Sequence, residues 1–412
     1  MNTSKVFTIQ FLTFGVAGAS QLFALSYATN QMSAVDSARF MYLVTLTTLL
    51  SFLDFGILWA LFMNLPKHPG ASSQLIRAAF KKMMKINLPV GLGLLSLFYL
   101  SYLSLDVVLV ILVILVNNLC LIGLVASRVI KGEIFYFVIF NSSWPLTFLV
   151  FRLIGVTEID FHSIFAIVPP LASVIINAVA SAYIYLRQIS KSVTTTSKRL
   201  NLDELQMAFK TISFYAATVQ ILTLVMLYGD RFFIFPKLTP NNFLNYAICV
   251  QFAGMAITII QNLSSSIVGT YASPNNRLSD TVANRIPVIP LLGLIAGAAY
   301  FLLMPNVAQV FFPDLSIDVF FLFLIGINIF LTSISVAIYQ KLWISGELRL
   351  RVYIQLFGIA SYLVYGILII SKQVALWQAS LALILSNLGI IPFALHSMRA
   401  KNRIGRRFKN DA

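Results

Sequence analysis

Apolar runs of about twenty residues recur along this chain, each closed by a short polar turn. A helix needs about twenty residues to cross a hydrocarbon layer of about 30 Å, and only a helix or a closed barrel satisfies its peptide groups where there is no water. That length predicts about twelve spans, at residues 7–29, 40–64, 86–104, 106–127, 134–156, 161–186, 208–228, 243–270, 286–304, 318–340, 352–370 and 375–396. The junction at Leu103–Ser104–Leu105–Asp106 is the tightest of them. The expected fold is therefore an all-α, polytopic membrane protein.

The polar turns orient these spans. An even number puts both termini on one side, and cytoplasmic loops collect Lys and Arg. With the N-terminus in the cytoplasm, nearly all of the 29 basic residues fall on the cytoplasmic side; Arg39, Arg152, Arg231, Lys237 and Lys372 are the exceptions. Missing or inventing one early span would erase that bias. The loops on the opposite face are too short to fold as a domain. The longest polar stretch, Arg187 to Asn201, stands near the middle of the chain and reads as a linker. It divides an N-terminal lobe, residues 1–200, from a C-terminal lobe, residues 201–412, with six predicted helices each.

The two lobes carry a common feature. The stretch from Asp36 and the stretch from Pro240 each run through a polar turn and an aromatic to a tyrosine, Tyr42 or Tyr246, where the second span of each lobe begins. Six spans per lobe bring both lobes into the membrane in the same direction. The repeat is parallel, about an axis along the membrane normal.

Composition narrows the class. The chain is 59% hydrophobic and 10% charged, whereas soluble domains are about 45–50% apolar and about 25% charged; no water-soluble core fits. The net charge of +15 follows from the loop bias, and no aromatic-interleaved basic domain points to nucleic acid. Cys120 and Cys249 lie inside apolar runs and imply neither a disulfide framework nor a metal site. The first apolar stretch lacks a small-residue cleavage site and is expected to stay as the first span.

No P-loop, GxGxxG, HExxH or paired CxxC occurs, so the sequence offers no machinery for ATP, nicotinamide or zinc chemistry, and no cofactor or metal is expected. His68, His162 and His396 fall at loop or interface positions. Charges within spans are the better pointers, since each costs about 2.5–3.5 kcal/mol to insert. Asp54, in SFLDFGILWAL, has no basic residue nearby; it could couple transport to a cation or line a wet cavity, or be a structural Asp bonded to a neighbouring helix. Asp230 and Arg231 close the seventh span. They could anchor the interface, or Arg231 could grip an anionic group, since guanidinium matches phosphate oxygens in a fork. Arg152 is a similar candidate that snorkelling to the interface also explains. Uncharged polar residues recur inside spans, among them Asn117, Asn118, Asn141, Asn177, Gln220, Gln251, Gln261 and Asn328. Helix-to-helix hydrogen bonds explain each of them. Their number also suits a hydrated interior with sugar hydroxyls as partners. Gly293-x-x-x-Gly297 reads as close helix packing.

At SFLDFGILWAL and YGDRFFIFPKLTPNNFLNYAI the sequence resembles the O-antigen flippases, polysaccharide-unit transporters of the multidrug/oligosaccharidyl-lipid/polysaccharide (MOP) exporter superfamily. The residues that carry the resemblance are Asp54, Phe55 and Gly56 in the second span, and Asp230, Arg231, Thr239, Pro240 and Tyr246 after the seventh. The resemblance implies two six-helix bundles around a central cavity that moves an undecaprenyl-diphosphate-linked oligosaccharide across a bacterial inner membrane, coupled to H⁺ or Na⁺. It also implies neighbours among polysaccharide-assembly membrane proteins. The chain departs from the family in its shorter length and in having few basic residues deep in its spans.

Two other functions remain open on sequence grounds. One is a cation-coupled multidrug exporter of the same superfamily. The other is a membrane polymerase or lipid-sugar glycosyltransferase, which would need a large external loop or clustered carboxylates that this chain lacks.

Overall fold

The computed structural model describes residues 56–65, 71–99, 115–126, 172–187, 217–219, 238–271, 288–313, 318–344, 347–370 and 375–410, with isolated positions between them. All regular structure among them is helical. By compactness the chain divides into two units, Met1–Ile221 with Gly269–Leu278, and Leu222–Val268 with Ser279–Ala412.

The first unit holds four described helices: α1, Ile57–Asn64; α2, Ser72–Tyr99; α3, Leu115–Ala126; and α4, Ala172–Arg187. Their apolar faces meet in one core, with Leu61, Leu75, Ala79 and Met83 from α1 and α2 against Ile122, Ala126, Val174 and Ile184 from α3 and α4. Polar side chains tie the helices in an environment where few competing partners exist. Asn87 Nδ2 donates to the Leu115 carbonyl at 2.8 Å, and Ser181 Oγ donates to the Cys120 carbonyl at 2.8 Å.

α1 departs from the sequence expectation. The span predicted at 40–64 is interrupted at Gly56, which takes a left-handed backbone (φ 73°) and stands at the N-cap of α1. An L side chain there would meet the following carbonyl, so glycine is the residue that fits.

The second unit holds α5, Pro240–Tyr271, apart from its last three residues; α6, Val288–Phe311; α7, Val319–Ile344; α8, Leu348–Ile370; and α9, Leu376–Asn410. Several of their starts are set by local chemistry. Thr239 Oγ1 accepts from the Asn242 N–H at 3.3 Å, and Pro240 occupies the first helical position, where a missing N–H costs nothing. The Asp318 carboxylate caps α7 through the Phe320 N–H at 2.9 Å. Gln378 reaches back to accept from the Ala375 N–H at 3.0 Å, closing the first turn of α9.

Packing within this unit centres on α7, which lies against α6, α8 and α9. α6 and α7 cross on glycines. A Cβ built on Gly297 would collide with the Gly326 carbonyl oxygen, and one on Gly293 would collide with Ser333. The Gly293-x-x-x-Gly297 spacing thus does what it suggested, letting two backbones approach.

Pro240–Gln261, Val288–Phe311, Val319–Leu342 and Leu376–Leu395 are long and apolar enough to cross a membrane. α2, of 28 residues, begins well before the predicted span at 86–104, and α9, of 35 residues, continues well past the one at 375–396. The apolar-run rule sees only the part of a helix that lipid requires, and these helices propagate into polar sequence.

Candidate functional site

A buried network of uncharged polar side chains runs between α7 and α9. On α7, Asn328, Thr332 and Ser335 are spaced four and three apart, which places them on one helical face. That face meets Asn387 of α9. The Asn387 side-chain nitrogen donates to Asn328 Oδ1 at 3.0 Å, to Thr332 Oγ1 at 3.0 Å and to the Leu383 carbonyl at 3.2 Å. Its oxygen accepts from Ser335 Oγ at 2.8 Å. Two N–H protons serve three acceptors, so one proton is shared. All four side chains are buried.

The same unit buries further groups of this kind: Asn245, Gln251, Ser264, Ser333, Gln340, Gln355, Ser380 and Ser386. These amide and hydroxyl side chains carry donors and acceptors in both senses. No carboxylate is buried among the described residues, and the one buried cationic group among them is the Arg351 guanidinium against Tyr339. No group of His, Cys, Asp and Glu that could hold a metal ion occurs among the described residues.

Of the sequence candidates, Asn117, Asn118, Asn177, Gln251, Gln261 and Asn328 fall within the described residues. Asn117, half-buried on α3, receives a long 3.5 Å contact from the Asn177 amide of α4, so the two read together from the sequence are neighbours in space. Gln251 is buried in α5. Asp54, Arg152, Asp230, Arg231, Asn141 and Gln220 lie outside the described residues. Tyr246 is fully buried against Phe321, with ring centroids 5.8 Å apart, and belongs to the core of the second unit.

Asn387, Thr332 and Ser335 were not among the sequence candidates. Their signal was present as polar residues at helical spacing inside an apolar run, but the pairing of α7 with α9 is a tertiary fact. Arg351, expected in a cytoplasmic loop, instead sits on the first turn of α8 with its guanidinium 4.9 Å from the centroid of the Tyr339 ring.

No protein-family profile and no curated relative matches the sequence. Solved structures match it along nearly its whole length. An outward-facing multidrug resistance MATE family transporter of the MOP superfamily superposes with a TM-score of 0.71 at 13% identity, covering 98% of this chain and 97% of that one. The chain has the fold of a MOP-superfamily transporter. An inward-facing MATE family transporter matches with a TM-score of 0.61 at 14% identity over the full length of both chains. A MOP superfamily transporter from Pyrococcus furiosus, described as having a binding pocket of reversed polarity that suggests a different function, matches at 0.68 and 13%, covering 97% of this chain and 96% of that one.

Proposed function

We propose that this chain is a flippase that moves an undecaprenyl-diphosphate-linked oligosaccharide from the cytoplasmic to the periplasmic leaflet for surface polysaccharide synthesis. It works by alternating access of two parallel lobes, residues 1–200 and 201–412, with both termini in the cytoplasm of a bacterial cell. The observation that carries this reading is the uncharged hydrogen-bonding network of the second unit, built from residues such as Asn328, Thr332, Ser335 and Asn387, with no buried carboxylate among the described residues. A glycan presents hydroxyls that can both donate and accept, and amide and hydroxyl side chains answer them in kind.

Three further roles belong to this reading. Asp54 serves as the carboxylate that binds H⁺ or Na⁺ and links transport to a gradient. Arg231, beside Asp230, meets the diphosphate, with Arg152 as a second cation on its route. Asn117, Asn141, Gln220 and Gln251 bind sugar hydroxyls along the path. No catalytic step is involved, and the partners are the lipid-linked cargo, the bilayer and other membrane proteins of polysaccharide assembly.

Deleting the gene should trap the lipid-linked unit on the cytoplasmic leaflet and abolish the surface glycan, with recovery on complementation. Unchanged surface glycan in a strain with no redundant transporter would refute the proposal.

A cation-coupled multidrug exporter is the second reading, favoured by the likeness of fold to MATE family multidrug transporters. Ethidium efflux from inverted vesicles separates the two, since a dedicated glycan flippase leaves ethidium where it is.

A further inference from the structure

The exposed side of α2 carries two parallel stripes with different chemistry. Phe80, Met84, Leu88, Leu92, Leu95 and Tyr99 are all exposed, at intervals of three or four residues, and form one apolar ridge along the helix. Arg77, Lys81 and Lys85, also exposed, lie four apart on a stripe about 60° around the helix from that ridge, beside its first two turns. At 28 residues α2 is about 42 Å long, against a hydrocarbon layer of about 30 Å. The ridge from Leu88 onward falls within the span predicted from the sequence at 86–104. Phe80 and Met84 extend the ridge about 12 Å further, into the zone that holds the cations.

α4 carries an apolar ridge of its own. Its exposed residues Ile175, Val179, Tyr183 and Leu186 form this ridge, which ends beside Arg187. Arg77 Nε donates to the Tyr185 hydroxyl at 3.0 Å, so the cationic end of α2 and the last turn of α4 are held together. No acidic residue occurs in the sequence between Asp54 and Asp106, nor within α4. This surface therefore carries cations with no carboxylate on either helix, bordered by apolar side chains at a fixed depth.

We propose that Arg77, Lys81 and Lys85 form a binding face for the phosphate headgroups of anionic phospholipid, with Phe80 and Met84 seated among the glycerol and upper acyl groups. Charge complementarity selects the occupant. A row of cations beside a lipid-facing ridge matches a layer that is anionic at one depth and apolar just below it. The inference rests only on α2 crossing a bilayer, and it does not depend on what the protein transports.

The test uses the purified full-length chain in vesicles of phosphatidylcholine with 30% phosphatidylglycerol, extracted mildly, with retained lipids counted by native mass spectrometry. The wild type should retain phosphatidylglycerol over phosphatidylcholine, and raised salt should weaken that preference. Lys81→Gln with Lys85→Gln should lower retention on the order of tenfold, while Lys81→Arg with Lys85→Arg should keep it. Arg77 is left in place because it also bonds Tyr185. Equal retention of the two lipids by the wild type would overturn the proposal without any variant, as would a Gln pair that retains phosphatidylglycerol like the wild type. A photoreactive phenylalanine analogue in place of Met84 should label lipid in native membranes; labelling of a protein chain instead would also overturn it. The readout contains no oligosaccharide cargo, so its failure leaves the flippase reading standing, and the reverse holds too.

Discussion

Asn387 holds four partners at once, and its loss would be felt at each. Replacing it with alanine removes the buried partner of the Ser335 hydroxyl and leaves the Asn328 side-chain oxygen with only a long 3.5 Å contact from Thr332. Leaving buried polar groups unsatisfied costs about 1–3 kcal/mol, and hydrogen bonds between membrane helices fall nearer the low end. Asn387→Ala should therefore lower the thermal midpoint of the purified protein by a few degrees. Ser361→Ala, which removes an exposed bond within one helix turn, should leave it in place; coincident midpoints for Asn387→Ala and the wild type would show the network to be slack. Two charged positions are tested by transport. Asp54→Asn should reduce it on the order of tenfold, the worth of one charge-assisted contact, with membrane insertion intact, and full complementation at wild-type protein levels would make Asp54 structural. Arg231→Ala should impair transport more than Arg231→Lys, because lysine keeps the charge and loses only the fork. Equal and negligible effects would return Arg231 to an interface anchor. Residue types were legible from the sequence at this scale, as with Asn328 and Asn117. Their partners were not, because helical spacing fixes which face a side chain occupies but not which helix comes to meet it.

At the scale of elements, glycines decide how closely helices pack. Gly297 of α6 and Gly326 of α7 face each other with no room for a side chain on the first. Gly297→Leu should force the helices apart and destabilise the protein by about 1–3 kcal/mol, the usual cost of overpacking. Gly366→Ala, where a Cβ would meet nothing within 4 Å, is the matched control; equal thermal stability of the two variants would contradict the crossing. Half of this contact could be read from the sequence, since Gly293 and Gly297 stand at the required spacing, while Gly326 has no glycine partner on its own helix to announce it. Helix ends show a similar division. The apolar runs located α5 to α9 to within a few residues at most ends, because lipid dictates their composition. The long polar continuation of α9 and the break at Gly56 escaped the same rule, since neither changes the apolar run itself.

At the scale of the molecule, the apolar composition and span periodicity led to an all-helical membrane protein, and the likeness to MOP-superfamily transporters over nearly the whole chain agrees with that architecture. Cargo is a different kind of property. It depends on a few side chains whose chemistry must be read in place, and one fold supports several answers. The flippase proposal assigns the uncharged network of the second unit to the hydroxyl-bearing glycan and leaves the diphosphate to Arg231. The most direct test is reconstitution of the purified chain into proteoliposomes that carry an undecaprenyl-diphosphate-linked oligosaccharide with a fluorescent sugar, quenched from outside. The account predicts that inner-leaflet fluorescence becomes accessible with time, faster with an imposed ion gradient, while ethidium stays put. Protected fluorescence that never declines, alongside gradient-driven ethidium movement in the same vesicles, would contradict it.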